Sequence, residues 1–158
     1  MDMYKIQRAE LKDVKLIQNL NKLLFEKEYN EYDKSLDCER PFSKEGEEYF
    51  KESITNEDNL CLVAKEKTEI VGYLIGSIQE TTSRRKIKKI WELENMFIKK
   101  EWRTKWMGKK LHQEFIQWCK QKEVEKISVI VSAKNTDGRK FYNKCWFEEY
   151  DITLEKKI

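Results

Sequence analysis

The stretch Leu93–Lys110, LENMFIKKEWRTKWMGKK, constrains the fold more than any other part of the chain, because it reads as a strand, a turn and a helix start in direct succession. Leu93, Met96, Phe97 and Ile98 form an apolar run with β propensity, and the cluster Lys99, Lys100, Glu101 ends it. After a turn at Arg103 to Lys105, Met107, Leu111, Phe115 and Trp118 recur at spacings of four, four and three, which places them on one side of a helix. The start of a helix presents unpaired backbone N–H groups and the positive end of the dipole, so an anionic group docks there readily. Arg103, Lys105, Lys109 and Lys110 add charge that suits a phosphate. A plain strand-to-helix connection with solvated lysines accounts for the same residues equally well at this level.

At 158 residues the chain is expected to form a single domain, residues 1–158, with a real core. Charged residues make up 39% and hydrophobic residues another 39%, which supports a globular chain with a very polar surface. No run approaches the roughly 20 apolar residues of a membrane span, and the N-terminal residues lack a signal peptide's apolar stretch. The expectation is a cytoplasmic protein with no membrane partner. Cys38, Cys61, Cys119 and Cys145 show no paired spacing of the metal or redox kind and are expected to be reduced thiols, mostly packing. The net charge of +3 conceals an asymmetry: residues 26–58 are strongly acidic, whereas residues 84–126 carry fourteen Lys and Arg against six Glu.

In chain order, Tyr4 to Arg8 alternates like a first strand, and Leu16, Ile17, Leu20, Leu23 and Leu24 follow the spacing of an amphipathic helix. The segment Glu31 to Pro41 reads as an acidic loop, and a short helix opens near Ser43 and runs through Tyr49, Phe50 and Ile54. Leu60 to Ala64 and Ile70 to Ile78 form a hairpin, in which Gly72 and Gly76 indicate either weak strand packing, slightly favoured, or a bulge or close backbone approach. The basic run Arg84 to Lys89 fits a solvated connection better than a nucleic-acid patch. Ile127 to Val131 reads as a buried strand, Asn135 to Lys144 as a short helix with Asn135 near its cap, and Trp146 to Leu154 as one or two closing strands. His112, the only histidine, falls one position past the apolar stripe and is expected at the surface, outside any mechanism.

Taken together, RTKWMGKKL after one strand and NTDGRKFYNKCWF after the next resemble the acetyl-CoA-binding core of the GNAT N-acetyltransferase superfamily. Arg103, Trp106 and Gly108 stand at the three places of its first motif, and Asn135, Phe141, Tyr142 and Phe147 at those of its second. Trp106 and Trp146 stand where that family usually has glycine. The element order is similar over essentially the whole chain. The resemblance implies an α/β (α+β) fold with a mixed, mostly antiparallel sheet of six to seven strands and about four helices, and with CoA in the splay between the fourth and fifth strands.

The resemblance further implies acetyl-CoA as co-substrate, with pantetheine against the backbone of Met96, Phe97 and Ile98 and the pyrophosphate on Arg103, Thr104, Lys105, Trp106, Met107, Gly108 and Lys109, and Asn135 nearby. Acetyl transfer benefits from a base that deprotonates the amine and an acid for the leaving thiolate. Family position makes Tyr142 the acid and Glu94 the first candidate base, acting through water, with Glu92 on the same strand face. No metal is implied. The expected acceptor is a small cationic amine, drawn by Glu31, Asp33 and Asp37 on the acidic side, where the family borders its acceptor site. The expected partners are thus a small-molecule amine and, among macromolecules, a second copy in a homodimer, with no nucleic acid. A catalytically silent CoA-binding module, or an enzyme acting on a protein amine, is the alternative.

Overall fold

The computed structural model describes residues 4–103 and 106–158. Its elements run β1 (Lys5–Arg8), α1 (Val14–Glu31), α2 (Lys44–Thr55), β2 (Asn59–Glu66), β3 (Glu69–Glu80), β4 (Lys89–Ile98), α3 (Met107–Gln121), β5 (Ile127–Val129) and α4 (Thr136–Lys144). The five strands form one sheet in the order β1-β2-β3-β4-β5. All neighbours are antiparallel except β4 and β5, which are parallel and joined by the α3 crossover.

Alternation along the strands builds two cores, one on each face of the sheet. On one face Leu62, Val71, Leu74, Trp91 and Leu93 meet the α3 stripe of Met107, Leu111, Phe115 and Trp118. Each such buried side chain contributes about 1.5–3 kcal/mol relative to exposure. On the other face Cys61, Val63, Tyr73, Ile75 and Phe97 pack beneath Val14, Ile17 and Leu20 of α1 and Phe50 of α2. Helix α1 is rotated from the expected stripe: Leu16 and Leu23 are exposed, while Gln18 and Asn21 are buried. Both polar residues are satisfied there, Gln18 by donating to Pro41 O at 2.8 Å and Asn21 by donating to the Tyr73 hydroxyl at 2.7 Å.

Ser43 caps α2, its Oγ accepting from Gly46 N at 3.0 Å. Gly76 supports the close-approach reading, because a Cβ there would lie 2.3 Å from the Phe115 ring. The β3–β4 connection carries the Arg84 to Lys89 run on a mostly exposed hairpin loop, as expected.

Three expectations need correction. The sheet has five strands among the described residues, not six or seven, because residues 146–154 form no strand, and Tyr150, Ile152 and Leu154 are exposed. The segment Ile127 to Val131 is not a buried strand: β5 ends at Val129, its three residues are half-buried, and Ile130 is 84% exposed. A three-residue edge offers too short a ladder to template another strand, which accounts for the missing closing strands. His112 is buried, at 7% exposure, between α3 and the rings of Phe141 and Phe147, because α4 covers that side of α3. The cysteines are all free, and burial pushes the thiols of Cys61 and Cys119 up to about 12. Among the described residues no helix is long and apolar enough to cross a membrane.

Candidate active site

Strands β4 and β5 separate partway along their length. Their ladder ends at Leu93 opposite Val129, whereas β4 continues to Ile98 while still paired to β3 on its other side. On its β5 side the backbone from Met96 to Ile98 therefore has no strand partner among the described residues. This opening leads to the start of α3, where Met107 is fully buried and no side chain caps the helix. Gly108 allows that helix start to press on β4, since a Cβ would stand 3.2 Å from Ile98 Cδ1. Arg103 is tied to the same end, donating from Nε to Ile98 O at 2.8 Å. Thr104 and Lys105 lie outside the described residues.

Both tryptophans at the usual glycine positions keep the left-handed backbone that favours glycine, Trp106 with φ 61 and Trp146 with φ 67. Their rings point outward, at 69% and 93% exposure, and the Lys109 ammonium lies 5.2 Å from the centre of the Trp106 ring. A left-handed conformation costs a non-glycine residue about 1–2 kcal/mol. Trp146→Gly loses little burial, and the greater chain entropy of glycine cancels only part of the gain. The expected result is about 1 kcal/mol of added stability, read as a rise of roughly 3 °C in Tm. An unchanged or lower Tm would mean that the exposed ring makes a compensating contact.

Glu94 occupies a β-bulge. Ile75 pairs with Asn95 and Gly76 with Leu93, so Glu94 has no partner on β3. The alternation of β4 shifts by one residue there: Trp91 and Leu93 face α3, Phe97 faces α1 and α2, and Glu94 and Asn95 both reach Tyr49 of α2. The Glu94 carboxylate accepts from the hydroxyls of Tyr49 and Ser77 and from Gln79 Nε2, the last at 3.0 Å. Asn95 Nδ2 in turn donates to the Tyr49 hydroxyl at 2.9 Å. Burial, and next the Glu94 charge, hold the Tyr49 phenol well above its ordinary range. Glu92, half-buried and opposite Ser77, makes no hydrogen bond or ion pair among the described residues. Burial and then the nearby Glu94 push its carboxyl above the usual range, which agrees with the two glutamates sharing a strand face.

Tyr142 sits on the opposite side of the sheet. It packs on the α3-side core with its ring 5.3 Å from Phe141 and 5.5 Å from Phe147, and burial raises its phenol. Glu94 and Tyr142 therefore lie on opposite faces of the sheet and do not touch. Asn135 is committed locally, its Oδ1 accepting from Gly138 N at 2.9 Å as the cap of α4. The acidic loop is also partly occupied. Asp33 Oδ1 accepts from Ser35 N at 2.9 Å, Asp37 Oδ1 accepts from Glu39 N at 2.9 Å, and Glu31 pairs with Lys27. Lys134, at the start of the α4 region, donates to Tyr32 O at 3.0 Å and brings this loop beside the β5 end of the opening.

The model of the acetyltransferase (GNAT) family matches residues 20–147, a span that contains the splayed strands, the α3 start and α4. The chain belongs to the acetyltransferase (GNAT) family. Solved structures share the fold at low identity. The BH1408 protein from Bacillus halodurans, as a tetramutant, superposes with a TM-score of 0.85 at 18% identity over 98% of this chain and 99% of that one. A predicted acetyltransferase from Clostridium acetobutylicum, solved with acetyl-CoA, gives 0.79 at 20% identity, covering 98% and 96%. The aminoglycoside acetyltransferase meta-AAC0020, from an uncultured soil metagenomic sample and solved with sisomicin, gives 0.71 at 20% identity, covering 99% and 97%. A comparison with curated proteins finds no match. Within this GNAT chain, Tyr49, Ser77, Gln79 and Asn95 surround the candidate residue Glu94 without belonging to either motif. The paired signal that could have found them is Gly76 facing an out-of-phase Glu-Asn step on the next strand.

Proposed function

We propose that the protein is an N-acetyltransferase that moves an acetyl group from acetyl-CoA to the primary amine of a small cationic acceptor by direct attack. The observation that carries this reading is the stretch of β4 from Met96 to Ile98 that lies beyond the β5 ladder among the described residues, leading to a helix start without a side-chain cap and with Arg103 and Lys109 beside it. These residues fit the co-substrate: pantetheine amides match strand backbone, and a diphosphate matches free N–H groups with flanking bases. Thr104, Lys105, Trp106, Met107 and Gly108 would complete that cradle, with Asn135 holding α4 against it. Bound acetyl-CoA supplies the activated acyl group.

The residues of the chain then manage the protons. A carboxylate of the Glu92 and Glu94 pair takes a proton from the acceptor ammonium, and the neutral amine attacks the thioester carbon. As the C–N bond forms and the C–S bond breaks, Tyr142 gives its proton to the thiolate and regains one from the nitrogen. The net products are the amide, the free thiol of CoA and one proton.

The test is a panel of amines, including spermidine and amino-sugars, incubated with acetyl-CoA and read as released CoA thiol. Turnover of cationic amines is expected, and a panel in which only neutral or acidic acceptors react would overturn the substrate class. Glu31, Asp33 and Asp37 would raise the local concentration of such a cation. Because Asp33 and Asp37 use Oδ1 in their loop, Asn at both positions preserves the loop bonds and removes only charge. The double substitution should raise the amine KM several-fold and leave the acetyl-CoA KM unchanged, and an unchanged amine KM would show the acidic loop to be incidental.

A silent CoA-binding module is the second reading, favoured by the strained Trp106 at the helix start. Calorimetry decides between them. The native chain is expected to bind acetyl-CoA, and binding that appears only in Trp106→Gly would favour the silent module.

A further inference from the structure

The two glutamates of β4 differ in what surrounds them. Glu94 lies in the bulge with three donors on its carboxylate: the Tyr49 hydroxyl from α2, and the Ser77 hydroxyl and Gln79 amide from β3. Three of the carboxylate's roughly four lone-pair positions thus accept hydrogen bonds, which fixes its orientation. The network also extends outward, since Asn95 braces Tyr49 at 2.9 Å and Asn21 of α1 approaches Asn95 Oδ1 at 3.5 Å. A carboxylate held on so many sides is suited to orienting a cation.

Glu92 has the contrary setting. It stands at the last rungs of the β4–β5 ladder, opposite Ser128, at the mouth of the opening. Its carboxylate has no hydrogen-bond or ion-pair partner among the described residues and is half-buried.

We infer that the labour is divided: Glu94 binds and orients the acceptor ammonium, Glu92 is the group that takes its proton, and Tyr49 is a positioning residue that holds the Glu94 carboxylate in place. This rests on the acetyltransferase reading and deepens it. The proton passes from R–NH3+ to the Glu92 carboxylate, giving R–NH2 and a carboxylic acid that returns the proton to solvent. Among the described residues the titratable groups around the pair are each other on β4 and Tyr49 on α2, with Tyr73 of β3 behind Tyr49 and Glu28 of α1 beyond it, while their neighbours Ser77, Gln79 and Ser128 carry no charge. Burial and then the neighbouring Glu94 hold the Glu92 carboxyl above the ordinary glutamate range, which suits a group that takes up a proton.

Two measurements test the division, and the first needs no turnover. Carboxyl 13C NMR titration of the full chain should show Glu92 titrating above the ordinary glutamate range. In Glu94→Gln the Glu92 transition should move downward, because the neighbouring charge is gone, with Tm and circular dichroism confirming a folded variant. A Glu92 that titrates in the ordinary range, or that does not respond to loss of the Glu94 charge, overturns the inference even if no amine is ever acetylated. The second measurement uses spermidine, or whichever panel amine reacts. Glu92→Gln should lower kcat about 10²-fold and abolish the acidic limb of the kcat/KM profile, whereas Glu94→Gln should raise the amine KM about tenfold and keep that limb. The reverse assignment, with the limb lost in Glu94→Gln and kept in Glu92→Gln, overturns it.

Discussion

Tyr142→Phe should lower kcat about 10²-fold while the affinity for acetyl-CoA changes by less than about twofold. The ring is held between Phe141, Phe147 and the α3-side core, and phenylalanine reproduces all of that packing. Only the hydroxyl is lost, and the hydroxyl is the part assigned to the leaving thiolate. Burial holds the phenol above its ordinary range, so it carries its proton at every pH where the amine can react. The pH profile of the variant should therefore keep the native shape at a lower height. Steady-state kinetics over pH 6 to 9, with calorimetry for acetyl-CoA, check this. Native kcat in the variant would make Tyr142 a packing residue.

Gly46→Ala should destabilise the fold by about 3 kcal/mol, at the upper end for overpacking. A Cβ at Gly46 would stand 2.2 Å from Arg40 O and 2.8 Å from Pro41 O, and backbone cannot swing aside as a side chain can. The first turn of α2 would have to withdraw from the Arg40–Phe42 turn. Tyr49 stands one turn further along α2, so the same withdrawal should loosen its hydrogen bond to Glu94. Urea denaturation should show a lower midpoint at unchanged slope, and the amine KM should rise with it. A midpoint within about 0.5 kcal/mol of native would show that the turn at Arg40 yields easily.

The strand and helix that flank the proposed acetyl-CoA site were legible because their signals are local. The apolar spacing from Met107 to Trp118 specifies a helix, and the run to Ile98 specifies a strand. The helix start that follows is where Lys109 and Lys110 stand. The hairpin of β2 and β3 was legible for the same reason. The acceptor side was much less so. Leu16 and Leu23 follow helical spacing as well as Ile17 does, and only the presence of Tyr73 and the Pro41 carbonyl above the sheet makes Asn21 and Gln18 the better buried pair.

The sequence by itself determined the order of elements through α4 and the family motifs, and it supplied the carboxylates and tyrosine proposed to move protons, since periodicity and residue chemistry are properties of neighbours along the chain. Only the tertiary structure decided the environment of each group. The bulge that turns Glu94 and Asn95 to one face exists because β3 skips a residue there, with Gly76 seated under Phe115. The Tyr49 hydroxyl meets a carboxylate 45 residues away in the chain, and His112 is buried because α4 returns over α3. A strand pattern at Tyr150, Ile152 and Leu154 did not become a strand, because a ladder needs a partner edge and β5 supplies three residues. Burial, hydrogen-bond partners and proton affinity all depend on what other segments bring to a residue, and no local pattern encodes them.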